Sequence, residues 1–244
     1  MKKVVVLFAA MSMFFNSCTS GQEILKTVGD VMGAGGNGNP VSELEIIQGL
    51  KQALEVGITK GSGVVSKVDG YNGNSNIRIP CPPDVQKVEN TLRDLGLGKE
   101  IDKLVVNINR GAETAAKGAA NIFIASIKKM TITDAMNILK GEKNAATNFL
   151  KRTTTQELYN SFRPVIENSL SQVGVTRNWD DIVGKYNKVP FVKKVNPDLA
   201  DYVTNEALTG LFFMGEKEEA KIRKDPIART TDVLKRVFKL QDNQ

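Results

Sequence analysis

The chain of 244 residues contains no histidine. That absence removes Ser-His-Asp and Cys-His catalytic arrangements and every zinc site built on imidazole. Cysteine is scarce as well: Cys18 and Cys81 are too few for a thiolate metal site. Aromatic residues are only 6% of the chain, and Lys and Arg are interleaved with Asp and Glu instead of forming a stripe. Nucleic acid needs a basic track with stacking aromatics, so it is not an expected partner. After the first fifteen residues no apolar run approaches the roughly 18 residues of a membrane-spanning helix. No phosphate loop is present either. Gly33-Ala34-Gly35-Gly36-Asn37-Gly38 is followed by no Lys-Ser/Thr pair and preceded by no strand, and no cofactor is implied. Any enzymatic chemistry left to this chain uses carboxylates, lysine, tyrosine or a metal held by oxygen.

What is there begins at the N-terminus. Lys2 and Lys3 lead a twelve-residue apolar run, 4–15, which is followed by Asn16-Ser17-Cys18. A basic start, a short apolar core and a small residue before the cut make a secretory signal. The cysteine after the cut makes it a lipoprotein signal, with Cys18 as the lipidated N-terminus. An uncleaved anchor helix is the alternative reading, and a run this short spans poorly. The expected organisation is a signal over 1–17, a tether over 18–41 rich in Gly and Asn, and a helical domain over 42–244. The formal charge is +6; Lys2 and Lys3 supply two of those charges and 1–17 holds no acid, so the chain from Cys18 carries +4. Thr19 and Ser20 give no acidic retention cue, which points to the outer membrane, facing the periplasm.

The body reads as all-α, a single helical bundle-like domain with a few short extended connectors. Ser42 with Glu45 forms a capping box. Leu44, Ile47, Leu54, Ile58, Val65 and Val68 continue one helix up to Asp69-Gly70. A loop over 71–83 follows, extended at Ile77-Arg78-Ile79-Pro80. Asp84 caps a helix with Val85, Val88, Leu92 and Leu95 inward, stopped by Gly96 and Gly98. One long helix is expected over 99–129, with a small-residue face from Gly111 to Ala120 that either admits a neighbouring helix or walls a groove. Thr131 or Thr133 caps a short helix closed by Gly141, and another short helix spans 144–151. Thr154 with Glu157 forms a second capping box, opening a helix to Val173 that Pro164 should kink, leaving Arg163 to bond the released carbonyls. Trp179 rides a short helix over 178–186, and 189–192 is an extended connector. Asn196-Pro197 starts a helix to Lys224 that Asp225-Pro226 breaks. A last amphipathic helix covers 231–240, its start served by Thr230 or Thr231 as cap and Asp232 in the first turn.

Candidate site residues are polar groups beside apolar stripes. Asn109, Arg110 and Glu113 share one turn. Asp201, Tyr202, Glu206, Glu218, Glu219, Arg223, Arg229 and Asp232 recur at helical intervals. Two readings stand: a carboxylate-arginine cluster lining a cleft, or ion pairs and caps that join helices. Glu219 and Arg223 read as an i,i+4 pair worth roughly 0.2–0.5 kcal/mol on an exposed face. Cys81, between prolines, reads as a small packed apolar residue or as a lone reactive thiol.

The segments together resemble an uncharacterised bacterial family, domain of unknown function family 4197. The likeness is carried by Ile77-Arg78-Ile79-Pro80, Asn109-Arg110-Gly111-Ala112-Glu113, Phe162-Arg163-Pro164 and Val173-Gly174-Val175-Thr176. It continues in Tyr186-Asn187-Lys188-Val189-Pro190-Phe191, Tyr202-Val203-Thr204, Gly210-Leu211-Phe212, Ile222-Arg223 and Ala228-Arg229-Thr230-Thr231-Asp232, and covers about 44–238. The resemblance implies an exported bacterial protein and assigns no activity. It places Arg78, Arg110, Arg163, Arg223 and Arg229 inside matching stretches, which makes them site candidates or buried structural arginines. Three functions follow as expectations. The first is a membrane-anchored binding or scaffold lipoprotein, held by lipid on Cys18, with an envelope protein or polymer as partner. The others are a carboxylate-based envelope hydrolase or transferase, and a binder of an apolar ligand between helices.

Overall fold

The computed structural model describes residues 42–83, 86, 89, 93–172, 179, 198–225 and 235. All of them fall in the compact unit Ser42–Gln244. Among the described residues every regular element is a helix: α1 (Glu43–Val65), α2 (Gly98–Ala116), α3 (Ala119–Lys128), α4 (Ile132–Lys140), α5 (Ala145–Gln172) and α6 (Leu199–Lys224), with one π-helical turn at Arg93–Leu97 before α2. None of the described helices is long and apolar enough to cross a membrane. The all-α expectation holds. The expected signal, Cys18 and the tether lie outside the described residues. So do Asp84, Val85, Val88 and Leu92, the 178–186 helix apart from Trp179, the 189–192 connector, Asn196-Pro197 and the 231–240 helix apart from Lys235.

Helix α1 starts as its sequence dictates. The Ser42 hydroxyl accepts from the Glu45 amide at 3.2 Å, and the Glu45 carboxylate accepts from the Ser42 amide at 2.9 Å. The helix stops at Val65, three residues short of the expected end, and the chain then turns through Asp69, whose φ of 63° no helix can contain. Two residues of the expected apolar row, Leu44 and Val68, are 68% and 77% exposed, whereas Ile46 and Leu50, outside that row, are buried. A Cβ on Gly57 would stand 3.2 Å from Ile222 Cδ1, so this glycine lets α1 and α6 approach closely.

The expected long helix over 99–129 is broken in two. At Lys117-Gly118 the amides bond Thr114 and Ala115 carbonyls three residues back, and Gly118 has no side-chain cap to offer. Glycine propagates a helix poorly, and the Thr114 hydroxyl takes the Arg110 carbonyl at 2.9 Å. The buried stripe nevertheless runs through both pieces: Ile101, Val105, Ile108, Ala112, Ala115, Ala119 and Phe123. The small-residue face serves helix packing. A Cβ on Gly111 would lie 3.5 Å from Ser169 Cβ and 3.8 Å from Ile166 Cα, both on α5.

Thr131, not Thr133, caps α4, in a capping box with Asp134. The expected boundary at Thr154 is absent: α5 is continuous through it and through Pro164. The Thr154 hydroxyl donates to the Leu150 carbonyl at 2.6 Å instead of capping a new helix. Its buried row, Leu158, Phe162, Ile166 and Leu170, packs against α2, α3 and α6. Helix α6 is capped by Asp198, whose carboxylate accepts from the Asp201 amide at 2.8 Å; its end at Asp225 is as expected. In the core Phe123 meets Phe212 edge to face, with centroids 5.8 Å apart.

Candidate functional site

The candidate polar residues gather around three separate tasks. The first is to hold residues 69–81, which run as a strap over α2 and α6. Glu113 is buried on α2, and its Oε1 accepts from the Tyr71 and Asn72 amides at 3.1 and 3.2 Å. Arg110 donates to Glu113 Oε2 at 2.6 Å and to Asp69 Oδ1 at 2.8 Å. Hydrogen bonds from Asn72 and then Arg110 hold the Asp69 carboxyl below the usual aspartate range, and the bonds to Glu113 and Asp69 hold Arg110 above its ordinary value. Arg78 is exposed and reaches Asn72 Oδ1 at 3.4 Å. One turn before Glu113, the buried Asn109 accepts from the Ile79 amide at 2.9 Å and donates to the Ile79 carbonyl at 2.8 Å. It thereby replaces a neighbouring strand for that one residue.

From the other side α6 closes the strap. The Tyr71 hydroxyl donates to the Ala207 carbonyl at 2.7 Å, and the Tyr202 hydroxyl points at the Pro80 and Cys81 carbonyls at 3.3 and 3.5 Å. Burial, then the Glu113 charge, pushes the Tyr71 hydroxyl well above its ordinary value. Burial, then Glu206, pushes Tyr202 up to about 12. Cys81 is 2% exposed and unpaired with any other cysteine, and burial followed by the Glu89 charge raises its thiol to about 11. This is the packed small residue of the sequence reading, in a setting that suppresses the thiolate.

The second task joins α5 to the start of α6. Arg163 donates to Asp198 Oδ2 at 2.7 Å and to the Tyr159 hydroxyl at 2.8 Å, and Tyr159 in turn donates to Asp201 Oδ1 at 2.5 Å. Arg163 was expected to serve carbonyls freed by Pro164; it reaches instead to the neighbouring helix terminus, where a carboxylate already sits as cap. Burial raises Asp198, but the Asp201 amide and the Arg163 guanidinium outweigh it and hold the group below the usual range. The bond to Asp201 raises Tyr159, with Arg163 opposing.

The third task is at the other end of α6. Glu219 accepts from the Ala146 amide at 3.0 Å, the Thr147 amide at 2.8 Å and the Thr147 hydroxyl at 2.8 Å. Arg223 pairs with Glu219 and donates to the Ile138 carbonyl at 2.9 Å. The side chains are 7% and 11% exposed, so the pair expected on an open face is buried. Glu218 beside it is bridged by Lys60 and Lys221.

Arg78, Arg110, Glu113 and Tyr202 therefore meet at the strap, Arg163 and Asp201 meet at the head of α6, and Arg223 stands apart from both. Arg229 and Asp232 lie outside the described residues. Sequence reasoning missed Asp69, Asn72, Tyr159 and Asp198, and the long-range capping by Glu219. Only Asp198, an Asp directly before an apolar helical run, left a local signal. Two adjoining surface clefts of about 250 and 220 Å³ lie beside α4 and α5 and share Asp134, Phe149 and Arg152; none of the candidate residues lines them. Among the described residues no group of three or more Cys, Asp or Glu side chains is arranged to hold a metal ion.

A family model described as protein of unknown function (DUF4197) matches residues 40–239. No curated protein and no solved structure matches the chain.

Proposed function

The chain belongs to the DUF4197 family of proteins of unknown function, and from that premise we propose that it is a lipid-anchored envelope lipoprotein with a non-catalytic binding or scaffold role. The anchor is Cys18, exported behind the signal of 1–17 and placed in the outer membrane facing the periplasm. The observation that carries the non-catalytic part is the use of the candidate polar residues. Glu113 and Arg223 bond backbone groups of other segments, Arg110 bonds Glu113 and Asp69, and Arg163 and Asp201 tie α5 to the head of α6 through Asp198 and Tyr159. A general acid or base has to face a substrate proton; Glu113 and Arg223 are turned into the fold, and the partly exposed Arg110, Arg163 and Asp201 are engaged by protein partners. The lack of histidine supports the same reading.

The partner in this reading is an envelope protein or polymer. The test is crosslinking in intact cells followed by mild extraction of the acylated protein. A discrete, stoichiometric envelope component crosslinked to wild type supports the role. Recovery of the lipoprotein alone, across crosslinkers of different reach, contradicts it.

A further inference from the structure

In an Asn-Gly pair the backbone attacks the asparagine side chain with least hindrance, because the glycine carries no Cβ beside its amide nitrogen. The strap holds such a pair at Asn72-Gly73, and it occurs nowhere else among the described residues. It sits in the turn that opens the strap, with Asn72 half-buried and Gly73 exposed. The groups that the reaction needs are all engaged there. The Gly73 amide, whose nitrogen would attack, donates to the Asp69 carbonyl at 3.0 Å. The Asn72 side-chain nitrogen, which would leave, donates to Asp69 Oδ1 at 3.0 Å. Arg78 Nε donates to Asn72 Oδ1 at 3.4 Å, and the Asn72 amide donates to the buried Glu113 at 3.2 Å. One residue, Asp69, therefore holds both the attacking and the departing nitrogen, the first by its carbonyl and the second by its carboxylate.

We propose that Asn72-Gly73 is a deamidation site that the bonds to Asp69 hold unreacted in the closed strap, and that its conversion to aspartate or isoaspartate loosens the strap where it meets Glu113. When this turn opens locally, the Gly73 nitrogen gives up its proton and attacks Asn72 Cγ. The N–Cγ bond forms, the Cγ–Nδ2 bond breaks, and the side-chain nitrogen leaves as ammonia with that proton. Water then opens the succinimide ring. Opening at Cγ gives aspartate, and opening at the main-chain carbonyl carbon of residue 72 gives isoaspartate, which lengthens the backbone. Either product replaces the amide donor with a carboxylate. The Asn72 hydrogen bond is the first of the influences that hold the Asp69 carboxyl below its ordinary value, so the change sets one carboxylate against another. Arg110 and Arg78 offset part of the new charge, but they are already engaged by Asp69, Glu113 and Asn72.

The experiment incubates the full chain at pH 8, native and in urea, and follows the tryptic peptide 68–78 by mass spectrometry. Conversion at Asn72 is expected to run roughly tenfold or more slower in the native protein than in urea. Asp69→Gly removes the carboxylate without straining the turn, since glycine accepts a φ of 63°. It should raise the native rate severalfold and leave the rate in urea unchanged. Glu219→Ala, which weakens the fold away from the strap, should leave the native rate near that of wild type. Asn72→Asp, the reaction product itself, should melt below wild type. Equal native and urea rates in wild type, a folded Asp69→Gly chain that converts no faster than wild type, or a Glu219→Ala chain accelerated as much as Asp69→Gly overturns the guarding role of Asp69. A melting temperature of Asn72→Asp equal to that of wild type overturns the loosening. The native-to-urea ratio of the wild-type chain decides even where Asp69→Gly does not fold.

Discussion

Glu219 and Arg223, one turn apart on α6, serve opposite helix ends: Glu219 takes the first amides of α5, and Arg223 donates to the Ile138 carbonyl in the last turn of α4. Each places its charge at the terminus whose partial charge it complements. A single ion pair thus fixes the α4–α5 connection against α6.

Removing one member leaves the other's charge unbalanced in a buried setting. Glu219→Ala leaves two amides without their acceptor and the Arg223 guanidinium, which keeps the Ile138 carbonyl, without its counter-charge, and should cost about 3–5 kcal/mol in urea unfolding. Replacing both residues with Met should cost less than the two single changes added together. Additive losses would show that the pair does not act as a unit.

Asn109 and Arg78 separate a structural polar residue from a surface one. Asn109→Ala orphans the Ile79 amide and carbonyl and should lower stability by about 3 kcal/mol. Arg78→Ala, which loses one long contact, should change it by less than about 0.5 kcal/mol. Thermal unfolding of both variants checks the order; a larger loss at Arg78 would contradict the strap as described.

Two glycines should respond with opposite signs. At Gly210 a Cβ would stand 2.9 Å from Tyr71 Cε1 and 3.0 Å from Ile77 Cβ, so Gly210→Ala should destabilise by about 1–3 kcal/mol. Gly63, near the end of α1, has open space at that position, so Gly63→Ala should stabilise by roughly 0.5–1 kcal/mol. Chemical denaturation of the two variants decides it, and a shared sign would contradict the packing of the strap on α6.

The regular parts of the fold were legible because they depend on neighbours in sequence. The Ser42-Glu45 box, the buried stripe from Ile101 to Phe123 and the stop at Asp225 are local patterns. The continuity of α5 through Thr154 was not legible. Its start is capped by Glu219, 73 residues downstream of Ala146, and no spacing rule reaches that far. The strap was hidden for the same reason, since Glu113 and Asn109 bond backbone groups about 30 to 40 residues earlier. The three-residue excess assigned to α1 came from Val68, whose apolar side chain fits the helical period but faces solvent.

Cys81 should resist alkylation. Its folded thiol ionises near 11, above the unfolded value of roughly 8.5. Because the raised value belongs to the folded state, the neutral thiol contributes stability below the unfolded value and loses it as pH climbs toward 11. Iodoacetamide at pH 8 should label Cys81 slowly in the native protein and rapidly in urea. Equal rates would contradict its burial.

Acid should act in the opposite direction. Asp69, Asp102, Asp134 and Asp198 are all held below the ordinary aspartate value. Depressed folded values contribute stability above the unfolded value of about 3.9 that is lost as pH falls through the folded ones. The melting temperature should therefore drop below about pH 4, with a shallower drop in Asp198→Asn. An unchanged slope in that variant would remove Asp198 from the acid response.

Mass spectrometry of the N-terminal peptide from membrane-extracted protein bears most directly on the central claim. The account predicts a chain that begins at Cys18 and carries more than one acyl chain, with Cys18→Ala releasing the body from membranes at physiological salt. A chain that retains Met1, or one cut before Cys18 that bears no lipid, would contradict it.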